Sequence, residues 1–186
     1  FLAQQAPVDA DIVIGVPDSG LSAAQGYAEY SGIPEDTGFI KNKYIARTFI
    51  KPTQNSRETA VKMKLNVLKS AVAGKRVVMV DDSIVRGTTS GRIVKMLRDA
   101  GAKEVHVRIS SPPFTHPCFF GTDVPSGDQL IANRMSIEKT AKYIDADSLE
   151  YLSLENLKKI APNSSCGFCA ACFTGEYAVD VEHLID

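Results

Sequence analysis

Val77-Val78-Met79-Val80-Asp81-Asp82-Ser83-Ile84-Val85-Arg86-Gly87-Thr88-Thr89 is an apolar run that ends in two carboxylates and turns directly into a helix start. A run this apolar is what a strand covered on both faces requires. Outward from it the alternation repeats. Arg76 to Val80 predicts a strand, Thr88 to Ala100 a helix with Ile93, Val94 and Leu97 inward and Gly101 as its stop, and Val105 to Ile109 the next strand. Upstream, Ile12 to Val16 is a β-branched run stopped by Pro17 and Gly20, and Leu21 to Tyr30 carries Ala and Leu at helical spacing. Phe39-Ile40 predicts a second short strand, residues 41–56 a long loop, and Arg57 to Ser70 a helix with Val61, Leu65 and Leu68 on one face. Strand, helix, strand, helix, strand predicts an α/β fold, a parallel sheet with helices on both faces.

After Ser110 the pattern changes. Ser111-Pro112-Pro113 is a breaker, and short helical stretches follow near 126–132, 136–143 and 154–160. The expected division is a core over residues 1–112 and a C-terminal helical, cysteine-bearing segment over 113–186. The opening Phe1-Leu2-Ala3-Gln4-Gln5-Ala6 reads like the last turns of a helix already under way, so a fragment of a longer protein is expected. No internal repeat or low-complexity tract interrupts this organisation.

Composition bounds the class. The 186 residues are 44% hydrophobic and 23% charged with a formal net charge of −1, which excludes disorder as the dominant state. No apolar run approaches the roughly 18 residues a membrane span needs. No basic segment leads into an apolar one at the N-terminus, so neither a secretory signal nor a membrane association is expected, and a cytoplasmic setting is. A pI near 6.4 argues against a nucleic-acid partner.

The chemistry sits at strand ends. In an open α/β sheet, ligands bind just beyond the carboxyl ends of the strands. Gly87 lets backbone approach a phosphate closely, Thr88 and Thr89 add hydroxyls, and the helix start favours an anion. Asp81 and Asp82 stand where they can meet ribose hydroxyls or a hard cation such as Mg²⁺. Taken singly these residues read as helix caps; the whole pattern does not. Val16-Pro17-Asp18-Ser19-Gly20-Leu21 also lies between strand and helix, and its N–H groups and the Ser19 hydroxyl suit a diphosphate or a cation. Residues 41–64 hold seven basic side chains (Lys41, Lys43, Arg47, Lys51, Arg57, Lys62 and Lys64) against Glu58 alone. A substrate rich in phosphate is drawn to such a stretch, and long loops often serve as lids.

Three of four cysteines crowd into Cys166-Gly-Phe-Cys169-Ala-Ala-Cys172. With Cys118 as a remote fourth ligand, this spacing suits zinc or an iron–sulfur cluster, and spacing does not choose between them. No triad context surrounds His106 or His116, so a catalytic cysteine is not expected.

Val77 to Thr89 resembles the phosphoribosyl-diphosphate (PRPP) loop of the type I phosphoribosyltransferases. With Gly15 to Gly20, Phe39 to Ile50, Arg108-Ile109-Ser110-Ser111-Pro112-Pro113 and Cys169-Ala170-Ala171-Cys172-Phe173-Thr174-Gly175 in the same order, the chain resembles the glutamine phosphoribosylpyrophosphate amidotransferase family over essentially its whole length. The resemblance implies a type I phosphoribosyltransferase fold and the first step of de novo purine synthesis. In that step ammonia from glutamine displaces pyrophosphate from PRPP to give phosphoribosylamine. It implies an N-terminal glutaminase domain, which this chain does not contain, and glutamine-dependent activity is therefore not expected of these residues alone. It also implies purine nucleotides as ligands and a homo-oligomer.

Residue roles follow from the same resemblance. Asp81 and Asp82 match the acidic pair that meets the ribose and Mg²⁺, and Ser19 a further ligand on the Mg²⁺ side. Arg86, Gly87, Thr88 and Thr89 match the 5-phosphate cradle. Lys41, Tyr44, Arg47 and Lys51 lie in the stretch matching the loop that closes over PRPP, with Lys41 and Arg47 supplying charge to the leaving group. Cys118, Cys169 and Cys172 match ligands of a structural 4Fe–4S cluster whose fourth ligand lies upstream of Phe1, while Cys166 matches none. Other readings are a non-catalytic PRPP-binding regulatory domain, an iron–sulfur structural or redox module, and a salvage phosphoribosyltransferase. The last is disfavoured by the cysteine-rich tail.

Overall fold

The computed structural model describes residues 1–42, 65–122, 124, 126–163 and 165–181. Helix α1 (Leu2–Gln5) leads to strand β1 (Ile12–Gly15) and α2 (Leu21–Ser31). Strands β2 (Phe39–Lys41) and β3 (Leu65–Val67) follow, then α3 (Lys69–Val72), β4 (Arg76–Asp81), α4 (Thr88–Asp99) and β5 (Glu104–Ile109). A 3₁₀ turn (Gly127–Gln129), α5 (Ile131–Arg134), α6 (Ile137–Tyr143), β6 (Ser148–Tyr151), α7 (Leu154–Lys159) and α8 (Ala171–Thr174) complete the described chain.

Strands β1, β4, β5 and β6 form one parallel sheet in the order β1-β4-β5-β6. Successive residues of a strand face opposite sides. Ile12, Ile14, Val77, Met79, Val105 and Val107 therefore pack under Ile93, Val94 and Leu97 of α4, while Val13, Val78 and Val80 pack under Leu2, Ala24 and Tyr27 of α1 and α2. Helices on both faces explain why β1 and β4 are apolar without alternation. On the second face β5 turns polar. Arg108, 2% exposed, donates to the carbonyl of Ala6 (3.0 Å) and to Ser148 Oγ (3.0 Å), and Tyr27 Oη donates to the same carbonyl (2.8 Å). Two buried donors on one carbonyl fix the end of α1 over the sheet.

Several expectations change. The helix expected over 57–70 does not extend through 65–67, because Leu65–Val67 pairs antiparallel with Phe39–Lys41 as β3; residues 57–64 lie outside the described residues, and Lys69 and Ser70 fall in the short helix α3. Strand β6, within the stretch expected to be helical, adds to the sheet edge through Ser148–Tyr151 against His106–Ile109. The helical stretch expected near 126–132 is split at Leu130 into the 3₁₀ turn and α5, α8 has no counterpart among the expected elements, and the remaining expected strands and helices fall within a residue or two of their limits. Of the expected loop over 41–56, only Lys41 and Asn42 are among the described residues.

Candidate active site

β1 and β4 are neighbours, with Gly15 opposite Val80, so the loops that leave them emerge side by side. The contact is backbone to backbone. Val16 N–H donates to the Val80 carbonyl at 2.8 Å, and a Cβ on Gly20 would stand 2.5 Å from that same oxygen. Only glycine lets the Ser19 loop close onto the end of β4. In that loop the Pro17–Asp18 peptide is cis, Ser19 is exposed, and Asp18 pairs with Lys41 at the end of β2. Lys41 is thereby held at the Ser19 loop.

Asp81 ends β4 at 7% exposure. Its Oδ1 accepts the N–H of Asp82 at 2.9 Å, and its carbonyl accepts the N–H of Ser110, which ties the start of the β5 loop to the same point. Burial, and next the neighbouring Asp82 carboxyl, push the Asp81 carboxyl up to about 8. Asp82 is exposed, and Ser83 Oγ donates to it at 3.3 Å. Among the described residues no Lys or Arg forms an ion pair with either carboxylate. Two adjacent carboxylates, one of them buried and pushed toward its neutral form, make a donor set that fits a hard divalent cation such as Mg²⁺.

Five residues after Asp82, Gly87 caps α4 with φ +79, a left-handed conformation that side chains resist. No side chain caps the N-terminus of this 12-residue helix, and Thr88 and Thr89 are exposed there. A Cβ on Gly87 would meet Ile131 Cδ1 at 2.6 Å and the Tyr143 ring at 3.3 Å. Arg86 donates to Gln129 Oε1 from Nη2 (2.6 Å) and Nε (3.1 Å). The structure thus brings Ser19, Lys41, Asp81, Asp82, Arg86, Gly87, Thr88 and Thr89 to the carboxyl ends of β1, β2 and β4. Tyr44, Arg47 and Lys51 lie outside the described residues. Gln129, Ile131 and Tyr143 carry no sequence signal, because their role at this site comes from contacts across more than forty residues of chain.

The cysteines lie on another part of the molecule. Cys118 and Cys172 are half-buried against Phe114, Val124 and Leu130, while Cys166 and Cys169 are exposed. Burial pushes the Cys118 thiol up, but hydrogen bonds from the Phe120 N–H (3.5 Å to Sγ) and from Thr122 outweigh it and lower it overall. Burial and the nearby Cys118 push Cys172 up, and burial, then Cys172, Cys118 and Cys169, push the Tyr177 hydroxyl up. The Tyr177 hydroxyl donates to the Pro117 carbonyl at 2.8 Å. Among the described residues no three Cys, His, Asp or Glu side chains are set close enough to hold a metal as they stand. The donor chemistry, with an N–H bonded sulfur at Cys118, still fits a thiolate-bound cluster that would draw these ligands together.

The buried carboxyl has a measurable cost. Folded Asp81 keeps a proton that the unfolded chain releases near pH 4, so raising the pH favours unfolding from about pH 4 up to the folded value near 8. In urea titrations without divalent cations, Asp81 makes stability fall as the pH rises across pH 5–7.5. Asp81→Asn removes that slope and makes the cation-free protein more stable than the parent at pH 8. Identical slopes in parent and variant would show that Asp81 is already ionised.

The model of the phosphoribosyl transferase domain matches residues 2–110. Over 184 residues the chain is 57% identical to an amidophosphoribosyltransferase of Synechocystis sp., spanning 99% of this chain and 37% of that relative. The amidophosphoribosyltransferase of Bacillus subtilis is also 57% identical, over 97% of this chain and 39% of its own length. The chain thus spans about two-fifths of the curated relatives it matches. Among solved structures, the glutamine PRPP amidotransferase of B. subtilis complexed with ADP and GMP superposes with a TM-score of 0.83, covering 97% of this chain and 40% of that one at 57% identity. Another, described as the allosteric regulatory enzyme of purine biosynthesis, superposes at 0.85 with 55% identity, over 100% of this chain and 41% of that one. The matched residues 2–110 are the ones that build β1, β4 and β5 and the loops at their carboxyl ends, and the chain belongs to the phosphoribosyl transferase domain family.

Proposed function

We propose that this chain is the PRPP-using part of an amidophosphoribosyltransferase, which displaces pyrophosphate from PRPP with glutamine-derived ammonia to give 5-phosphoribosylamine. The observation that carries the reading is the convergence of Asp81, Asp82 and the Gly87-Thr88-Thr89 helix start with the Ser19 loop, in a chain 57% identical to enzymes of that name. Ammonia attacks carbon 1, the C1–N bond forms, the C1–O bond breaks with its electron pair going to pyrophosphate, and the new nitrogen sheds a proton.

Each residue then has a role in positioning or charge. Gly87, Thr88, Thr89 and Arg86 hold the 5-phosphate at the helix start. Asp82 and Asp81 orient the ribose hydroxyls and, with Ser19, would hold Mg²⁺. The ion supplies electrostatic stabilisation of the leaving pyrophosphate when bound. A cation beside Asp81 favours its charged form and offsets the cost of its burial. Lys41 and Arg47 add positive charge at the leaving group, and Tyr44 and the rest of the basic stretch exclude water, which otherwise competes with ammonia. No side chain need act as a nucleophile; catalysis is orientation and charge.

The same reading extends to the rest of the chain. Residues 1–112 form the transferase core, and 113–186 the segment that carries the cysteines. Cys118, Cys169 and Cys172 hold a structural 4Fe–4S cluster, with the fourth ligand supplied from outside this chain. The complete protein carries an N-terminal glutaminase domain, assembles as a homo-oligomer, responds to purine nucleotides and works in the cytoplasm. No helix among the described residues is long and apolar enough to cross a membrane, and cysteines without a disulfide suit a reducing compartment.

With PRPP, Mg²⁺ and ammonium salts, the intact protein releases pyrophosphate, and Asp82→Asn lowers the rate about 10²-fold or more, the scale of losing one preorganised electrostatic contact. Undiminished release by that variant would remove Asp82 from the site. Anaerobically purified protein contains iron and acid-labile sulfide, and Cys172→Ser loses both. Stoichiometric zinc without sulfide would sink the cluster assignment.

A further inference from the structure

The turn ending at Gln129 grips the loop after β4 in three ways. Gln129 Oε1 takes two N–H groups of Arg86, the Ile131 N–H donates to the Val85 carbonyl at 2.9 Å, and Ile131 and Tyr143 fill the space beside Gly87. The turn is itself fixed. Gln129 N–H donates to the Ser126 carbonyl at 3.0 Å. Asn133 Nδ2 donates to the carbonyls of Gly127 (2.9 Å) and Thr115 (2.8 Å). Leu130 is fully buried with Phe114 and Val124, and Val85 packs against that cluster.

Arg86 is exposed, and a free guanidinium on its long stem samples many rotamers. An amide oxygen that accepts two N–H groups from one side sets the plane of the fork and leaves its other N–H groups for an anion. A carboxylate there would do the same but cancel the charge. An amide orients without neutralising, which is what a phosphate-binding arginine needs.

We infer that Gln129 is a positioning residue for Arg86 and holds its guanidinium toward the 5-phosphate of the substrate. The turn and helices over 127–143, beyond the matched residues 2–110, thereby complete the phosphate cradle. This rests on the PRPP reading above.

Calorimetric titrations of the intact protein with ribose 5-phosphate, pyrophosphate and PRPP, each with Mg²⁺, test it. Gln129→Ala weakens ribose 5-phosphate about 3- to 10-fold, the net worth of a hydrogen bond, and leaves pyrophosphate unchanged. Gln129→Glu weakens it further, because the carboxylate pairs with Arg86 and repels the phosphate. In ammonium-dependent turnover Gln129→Ala raises the KM for PRPP and leaves kcat unchanged. In an Arg86→Ala background, Gln129→Ala has no further effect. Parental affinity for ribose 5-phosphate in Gln129→Ala, equal losses for both ligands, or the same loss in the Arg86→Ala background would overturn the positioning role while leaving the PRPP reading intact. A parent protein that binds neither ribose 5-phosphate nor PRPP would overturn both.

Discussion

At the end of the central strand β4 a carboxylate is carried into a place where its charge is costly. Asp81 is buried because β4 lies between β1 and β5 and because the β5 loop closes on it through Ser110. β5 runs level with Asp81 through Ile109, and β1 stops one residue short of it, opposite Val80. The consequence is a carboxyl pushed up to about 8 with no cationic side chain paired to it among the described residues. On the reading proposed above, a cation bound beside Asp81 would offset that cost. Proteins give up stability in this way where pre-organisation serves chemistry.

The rest of the site is arranged around that strand end. Gly20 lets the Ser19 loop lie on the Val80 carbonyl, and Gly87 lets the chain turn into α4 beneath Ile131. At both positions the missing side chain is what allows the close packing of the loop against its neighbour. The C-terminal segment is not a bystander in this geometry. Thr115 and His116 donate to the Cys172 carbonyl, Asn133 reaches Thr115, and the turn before Asn133 holds Arg86. A continuous set of contacts therefore joins the cysteine-bearing region to the phosphate-type loop.

Much of this was legible in the sequence, for local reasons. β4 and its loop announce themselves because a doubly covered strand must be apolar and a phosphate-type turn must contain glycine. The Ile93, Val94 and Leu97 face of α4 follows from helical spacing alone. What escaped was decided at long range. Leu65 and Leu68 carry the helical period, yet Leu65–Val67 is a strand because β2 offers it a partner some twenty-five residues upstream. Ser148-Leu149-Glu150-Tyr151 alternates buried and exposed residues for only four positions, too short a signal for an edge strand. Gln129 looks like any surface glutamine until the fold sets it against Arg86.

The central claim is that the loops after β1 and β4 form one site for a doubly phosphorylated sugar and a divalent cation. Calorimetric titration of the intact protein with PRPP, with and without Mg²⁺, tests it most directly. The account predicts saturable one-to-one binding that requires Mg²⁺. Absence of binding, or binding of equal strength without a divalent cation, would contradict it.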